Sequence, residues 1–207
     1  MWNVARFCDA LLPLIGDDER SGESALSSYE SAYADEARAQ FSKKLGIRIG
    51  DDAGDGQLVQ RLFAWLQQHG VDMTIFFRSL AQVLRMEELR ELPSCVRAAF
   101  YGEPAKDAVE EGLSWLQQWR VRARSEARDV EVAAEALDRA NPKFVLRNWL
   151  AQEAIDAATA GDASKLHRLQ RVLARPYDEQ SGEDDLAQKR PDWAKDKPGC
   201  SALSCSS

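Results

Sequence analysis

Apolar side chains recur along this chain at spacings of three and four residues almost from end to end. Val4, Phe7, Leu11, Leu12 and Ile15 fall on one side of a helical wheel. Leu26, Tyr29, Tyr33, Ala37, Phe41 and Leu45 repeat the arrangement, and Gly46 supplies a stop. At 3.6 residues per turn such positions stack into one stripe, so each run predicts an amphipathic helix. Asp55 is placed to cap a helix carrying Leu58, Val59, Leu62, Phe63 and Leu66, which His69-Gly70 ends. Asp72 is placed to cap the next, with Phe76, Phe77, Leu80, Val83 and Leu84 inside. A short side-chain oxygen at that point can accept a free amide of the first turn.

A shorter piece holds Leu89, Leu92, Val96 and Phe100, broken at Pro93 and at Gly102-Glu103-Pro104. Val109, Leu113, Leu116 and Trp119 mark a longer helix, and residues 129–140 another. Asn141-Pro142 reads as a helix start, because proline in the first turn loses no hydrogen bond. Phe144, Val145, Trp149, Leu150, Ala154, Ile155 and Ala158 follow as an apolar face. Gly161 closes that helix, and Asp162 caps one with Leu166, Leu169, Val172 and Leu173. No two-residue alternation bounded by hairpin turns occurs, so no sheet is predicted. The expected fold is all-α, an irregular helical bundle over residues 1–177. Residues 178–207 are polar, carry Glu183-Asp184-Asp185, and are expected to be a flexible tail without a core of its own.

Composition sharpens this picture. The 207 residues are 44% hydrophobic and 29% charged, a globular balance, with a net charge of −7. An acidic chain argues against a nucleic-acid partner, whose phosphates need clustered cations. No apolar run approaches the ~20 residues that span a bilayer, and the first residues lack the pattern of a secretory signal. Four cysteines do not make a disulfide framework in this length, so a reducing cytoplasm is the expected location.

Candidate chemistry is sparse. Residues 51–62 superficially resemble a calcium loop, but Ala53 and Leu62 stand where oxygen ligands are required. His69 and His167 have no cysteine or carboxylate at metal-ligand spacing. Arg120, Arg122, Arg124 and Arg128 form a basic cluster that reads as a solvated helix end rather than a phosphate site. Trp65, Trp115, Trp119 and Trp149 lie on apolar stripes and are expected in the core. Trp193, in the polar tail, reads as a docking anchor. Cys8 and Cys95 look like small buried hydrophobes, whereas Cys200 and Cys205 are expected to be exposed and mobile, hence open to thiol exchange. Glycine-rich phosphate loops and the Asp-Phe-Gly and His-Arg-Asp triplets are absent from the sequence.

Five segments nevertheless form a signature. They are Asn141-Pro142-Lys143-Phe144-Val145-Leu146-Arg147-Asn148-Trp149-Leu150-Ala151-Gln152, then Gly161-Asp162, then Arg175-Pro176-Tyr177-Asp178-Glu179-Gln180 with Arg190-Pro191-Asp192-Trp193, and the final Ser204-Cys205-Ser206-Ser207. Together they resemble the C-terminal end of the selenoprotein O (SelO, UPF0061) family of kinase-like protein adenylyltransferases. The likeness continues more weakly back to Trp2-Asn3 and Leu12-Pro13-Leu14-Ile15.

The resemblance implies the C-terminal helical part of a kinase-like fold, with Met1 an internal or artefactual start. It implies ATP and a divalent metal, magnesium, as cofactors of the intact enzyme, which transfers AMP to protein hydroxyls. The residues that bind them precede this region, so the chain is expected to hold no catalytic, cofactor or metal residue. Its implied partners are the missing N-terminal kinase-like region and, in the intact enzyme, protein substrates. The resemblance also implies redox work for Cys205, at a position that is selenocysteine in many eukaryotic members, with Cys200 a second candidate. Cys205 is expected to form a reversible disulfide with a cysteine upstream of Trp2. A free-standing helical scaffold or interaction domain is the other reading the sequence supports.

Overall fold

A computed structural model describes residues 2–14, 19–50 and 53–200. Among these the chain forms nine α-helices and no strand. A lone antiparallel bridge joins Val71 to Phe100. The helices are α1 (Trp2–Leu11), α2 (Glu19–Leu45), α3 (Ala53–Gln68), α4 (Met73–Arg85), α5 (Ser94–Arg97), α6 (Lys106–Glu126), α7 (Val130–Ala140), α8 (Asn148–Thr159) and α9 (Ser164–Leu173). Single 3-10 turns follow at Leu12–Leu14, Asp184–Ala187 and Asp192–Ala194. The all-α expectation is met, and Ile15 lies outside the described residues.

The stop signals act as their chemistry dictates. After α2 the amide of Gly46 donates to Lys43 and that of Ile47 to Ser42, which satisfies two carbonyls that a helix end leaves free. This closure needs a left-handed residue, and Gly46 has φ +62°. A side chain there would also meet Leu137 Cδ2 at 3.0 Å. Gly70 after α3 and Gly161 after α8 end their helices with the same pair of bonds.

Three start signals differ from expectation; for α9 the cap position is Ala163, and Asp162 before it accepts from the Ser164 amide at 2.8 Å. Asn141 does not open a helix; it ends α7, with its backbone extended at φ −118°, ψ 105°. The proline after it disfavours helical geometry at the preceding residue. The Asn141 side chain is buried and donates to the carbonyls of Lys44 and Leu137, so it ties the end of α2 to the end of α7. The amides of Lys143 and Phe144 both donate to the Pro176 carbonyl, and α8 begins only at Asn148. Asp55 is likewise no cap. It sits in the first turn of α3, buried, accepts from the Gly50 amide at 2.7 Å and pairs with Arg122.

The main core gathers the end of α2 with α3 to α7. Trp65, Phe76, Trp115 and Trp119 fill it, the last two stacked at 6.1 Å with planes 6° apart. Fully burying one side chain of this size contributes about 2–3 kcal/mol. Each indole N–H finds a carbonyl: Trp65 on Ala108, Trp115 on Leu58 and Trp119 on Leu45, at 2.9, 2.9 and 2.8 Å. No polar group of these rings is therefore left unsatisfied in the interior. Trp149, grouped with them by sequence, is half-buried instead.

A second, smaller core holds Phe144, Leu150, Ala154, Leu169, Val172 and Leu186. Leu186 comes from the segment expected to have no core of its own. It joins a core built by α8 and α9 rather than one of the segment's own, and Ala194, fully buried, and Cys200, 5% exposed, are also covered. Trp193 does dock, its ring edge-on to Trp149 at 6.4 Å. The segment from 178 to 200 therefore lies against the body over its length.

Within the arginine cluster Arg120 and Arg124 do not form a solvated helix end, whereas Arg128 is exposed. Arg124 donates to the Leu84 carbonyl at 2.9 Å and to that of Met86 at 2.6 Å; Arg120 donates to those of Met86 and Glu87. Two guanidinium groups thus satisfy the free carbonyls at the end of α4, where the helix dipole is negative. Burial, and secondarily the charge of Arg124, pulls the Arg120 pKa down.

Candidate functional site

A cleft of about 650 Å³ runs between α4 and the segment that follows α9. Thr74, Arg78, Gln82 and Arg85 line it from successive turns of α4, as i, i+4 and i+8 spacing requires. Glu179, Asp184 and Lys189 line the facing wall, and Asp138 and Lys143 close one end. Its size suits a small organic ligand.

The charges facing the cleft are matched to one another. Arg78 spreads its fork over the Asp138 carbonyl at 2.7 Å, the Asn141 carbonyl at 3.0 Å and the Glu179 carboxylate at 2.8 Å. Arg85 binds Glu131 through two nitrogens at 2.9 and 2.7 Å, and Asp138 at 3.1 Å. The Glu131 hydrogen bonds raise the Arg85 pKa despite some burial. Lys143 bridges Glu179 and Asp184, both at 2.6 Å. Burial alone would pull its amine down; the two carboxylates outweigh that and raise it. Lys189 donates to the carbonyls of Ala98 and Phe100. Beyond this network the cleft offers Thr74, Gln82 and Gln188 as hydrogen-bonding side chains and an apolar lining of Ile75, Cys95, Ala98 and Ala187.

Beside the cleft lies a buried ionic node. Asp72 caps α4 through the Ile75 amide at 3.1 Å, as the sequence predicts. The same carboxylate takes a two-nitrogen clasp from Arg147, at 2.6 and 2.9 Å, and the Tyr101 hydroxyl at 3.1 Å. Burial pushes the Asp72 pKa up, but Arg147, Ile75 and Tyr101 together hold it below the usual carboxylate range. Burial, then the Asp72 charge, raises the Tyr101 hydroxyl. Arg147 precedes α8 and Asp72 precedes α4, so this pair joins the two cores.

Neither buried aspartate offers oxygens to a magnesium ion, since Asp55 is engaged by Arg122 and Asp72 by Arg147. Among the described residues no group of three or more His, Cys, Asp or Glu side chains could hold a metal ion. His69 faces Glu111 at 3.3 Å, a partner from α6 that local sequence spacing does not reveal. His167 is exposed. Cys8 and Cys95 are half-buried, and burial raises the Cys95 thiol pKa. Of the two redox candidates, Cys205 lies outside the described residues. Cys200 is buried rather than exposed, its amide donating to the Lys197 carbonyl at 3.0 Å.

Among the described residues no helix is long and apolar enough to cross a membrane. The family described as protein adenylyltransferase SelO matches the chain over residues 1–174. A protein nucleotidyltransferase YdiU of Azoarcus sp. (strain BH72) is 41% identical over 207 residues. Proteins with the same description from Xanthomonas campestris pv. campestris (strain B100) and Aromatoleum aromaticum (strain EbN1) are 40% and 42% identical, over 207 and 210 residues. Each alignment covers 100% of this chain and 39% of the relative. A match over most of the helical body, with relatives aligned along the whole chain, shows that the chain belongs to the SelO family of protein adenylyltransferases.

Proposed function

We propose that this chain is the C-terminal helical part of a protein nucleotidyltransferase. In the whole enzyme a protein hydroxyl oxygen attacks the α-phosphorus of ATP, AMP is transferred and pyrophosphate leaves, with a divalent metal screening the phosphates. The helical part supplies scaffold, and the chemistry lies in a kinase-like region outside these residues. The observation that carries this reading is the family match combined with the coverage of only 39% of the relatives' length.

Two features support it. The cations around the cleft are engaged by carboxylates and backbone carbonyls, whereas nucleotide transfer requires cations and amides aimed at phosphate oxygens. The α1 surface carries Trp2 at 73% and Phe7 at 63% exposure, with Leu14 in the following turn at 79%, and α1 contains no buried residue. Such a face suits coverage by the catalytic region. The redox role assigned to Cys205 and Cys200 belongs to the same proposal. Cys200 is shielded in the docked arrangement, which favours Cys205 as the residue that acts.

A labelled-ATP transfer assay tests the reading. The 207-residue chain with magnesium is expected to take no label and to label no added protein. The same sequence joined to the missing region is expected to transfer AMP. Robust labelling by the short chain alone would overturn the proposal.

A further inference from the structure

Residues 178–200 have their charges sorted along the chain. The first half is acidic and meets cations from three parts of the body. Glu179 meets Arg78 of α4 and, with Asp184, Lys143 of the α7–α8 connection, at 2.8, 2.6 and 2.6 Å. Glu183 meets Arg168 and Arg171 of α9 at 2.6 and 3.2 Å. Asp185 takes two further bonds from Arg168, at 2.9 and 2.6 Å. The second half carries Lys189, Arg190, Lys195 and Lys197 against Asp192 and Asp196, and two of its cations meet electron-rich partners. Arg190 lies over the Tyr101 ring at 5.5 Å, and Lys197 meets Asp156 of α8 at 3.1 Å.

Apolar anchoring is thin by comparison. Leu186, Ala194 and Cys200 are buried, while Trp193 keeps 49% of its surface in water. The side chains of Glu179, Asp184 and Asp185 are 70%, 75% and 55% exposed. The pairs of Glu179, Asp184 and Asp185 are open to solvent on the acid side and are screened by salt, whereas Glu183 is 16% exposed and its pair with Arg168 is screened less. They hold this segment as a set, through several partners at once.

We propose that residues 178–200 form a detachable, salt-sensitive strap. Docked, it supplies one wall of the α4 cleft and buries Cys200. Released, it opens the cleft and exposes that thiol. Arg168 is the principal clip, because it alone binds both Glu183 and Asp185 and sits beside Leu186, the apolar anchor of the strap in the second core.

The rate of Cys200 alkylation by iodoacetamide, resolved by peptide mass spectrometry, reads the docked state in the 207-residue chain. Cys8, on α1, serves as the internal reference. Raising sodium chloride from about 0.05 M to about 1 M is expected to speed Cys200 labelling about fivefold while Cys8 changes less than about twofold. Arg168→Glu is expected to speed it about tenfold at low salt. Combining Arg168→Glu and Arg171→Glu with Glu183→Arg and Asp185→Arg is expected to restore slow labelling, which simple loss of folding would not. Cys200 labelling indifferent to salt and to Arg168→Glu, or accelerated in step with Cys8, would overturn the strap.

Discussion

Asp72 shows how one side chain serves two scales of structure at once. Its oxygen caps α4 locally, and its charge holds Arg147 from 75 residues away. Replacing it with asparagine keeps an acceptor for the cap but removes the charge. Breaking one side of a buried pair leaves the other charge stranded, so Asp72→Asn is expected to cost about 3 kcal/mol in urea unfolding at neutral pH. The pH dependence has a definite sign. The folded carboxyl is held below its ordinary value, so the stabilisation is complete above the unfolded value of about 3.9 and is lost as pH falls through the folded one. The gap between wild type and variant should therefore narrow on acidification below about pH 4. A gap that stays constant to pH 3 would contradict this. The cap was legible in the sequence because its partner is three residues on. The Arg147 clasp was not, because nothing local distinguishes an arginine that will be buried. Asp55 shows the same limit: its position suggested a cap, and a partner 67 residues away claimed it.

At the scale of elements, the ends of helices carry the long-range ties. Glycine stops at 46, 70 and 161 could be read because a left-handed residue is a local demand. Asn141-Pro142 could not, since asparagine before proline suits the end of one helix as well as the start of the next. The choice was made by Lys44 and Pro176, both distant in sequence. The arginine cluster was misread for a related reason. Its spacing on α6 is visible, but the α4 carbonyls it satisfies lie 33 to 40 residues upstream. Arg124→Ala is expected to leave the Leu84 carbonyl without its side-chain donor and the Met86 carbonyl with Arg120 alone, and to cost about 1–3 kcal/mol of unfolding free energy. Arg124→Lys, which keeps the charge without the fork, should recover part of that loss. Thermal melts of the two variants check this; equal melting of both with wild type would show that solvent satisfies the end of α4.

At the scale of the molecule, the main core of α2 to α7 and the smaller core of α8, α9 and Leu186 are bridged by polar contacts: Asp72 with Arg147, Arg78 with Glu179, and Lys189 with the carbonyls near Phe100. Helical class was legible from periodicity, which is a property of each segment by itself. The packing of residues 178–200 was not, because their hold depends on charges supplied by α4 and α9. The resemblance seen at Asn141 to Gln152 and beyond reached the family, while the cleft formed by α4 and the strap had no motif to announce it. The central claim is that these residues support a nucleotidyltransferase without holding its nucleotide. Isothermal titration of ATP with magnesium into the 207-residue chain tests it most directly. No binding tighter than about 1 mM is expected, a free energy no stronger than about −4 kcal/mol. A saturable heat with a micromolar Kd, weakened by Arg78→Ala or Lys143→Ala at the cleft, would contradict the account.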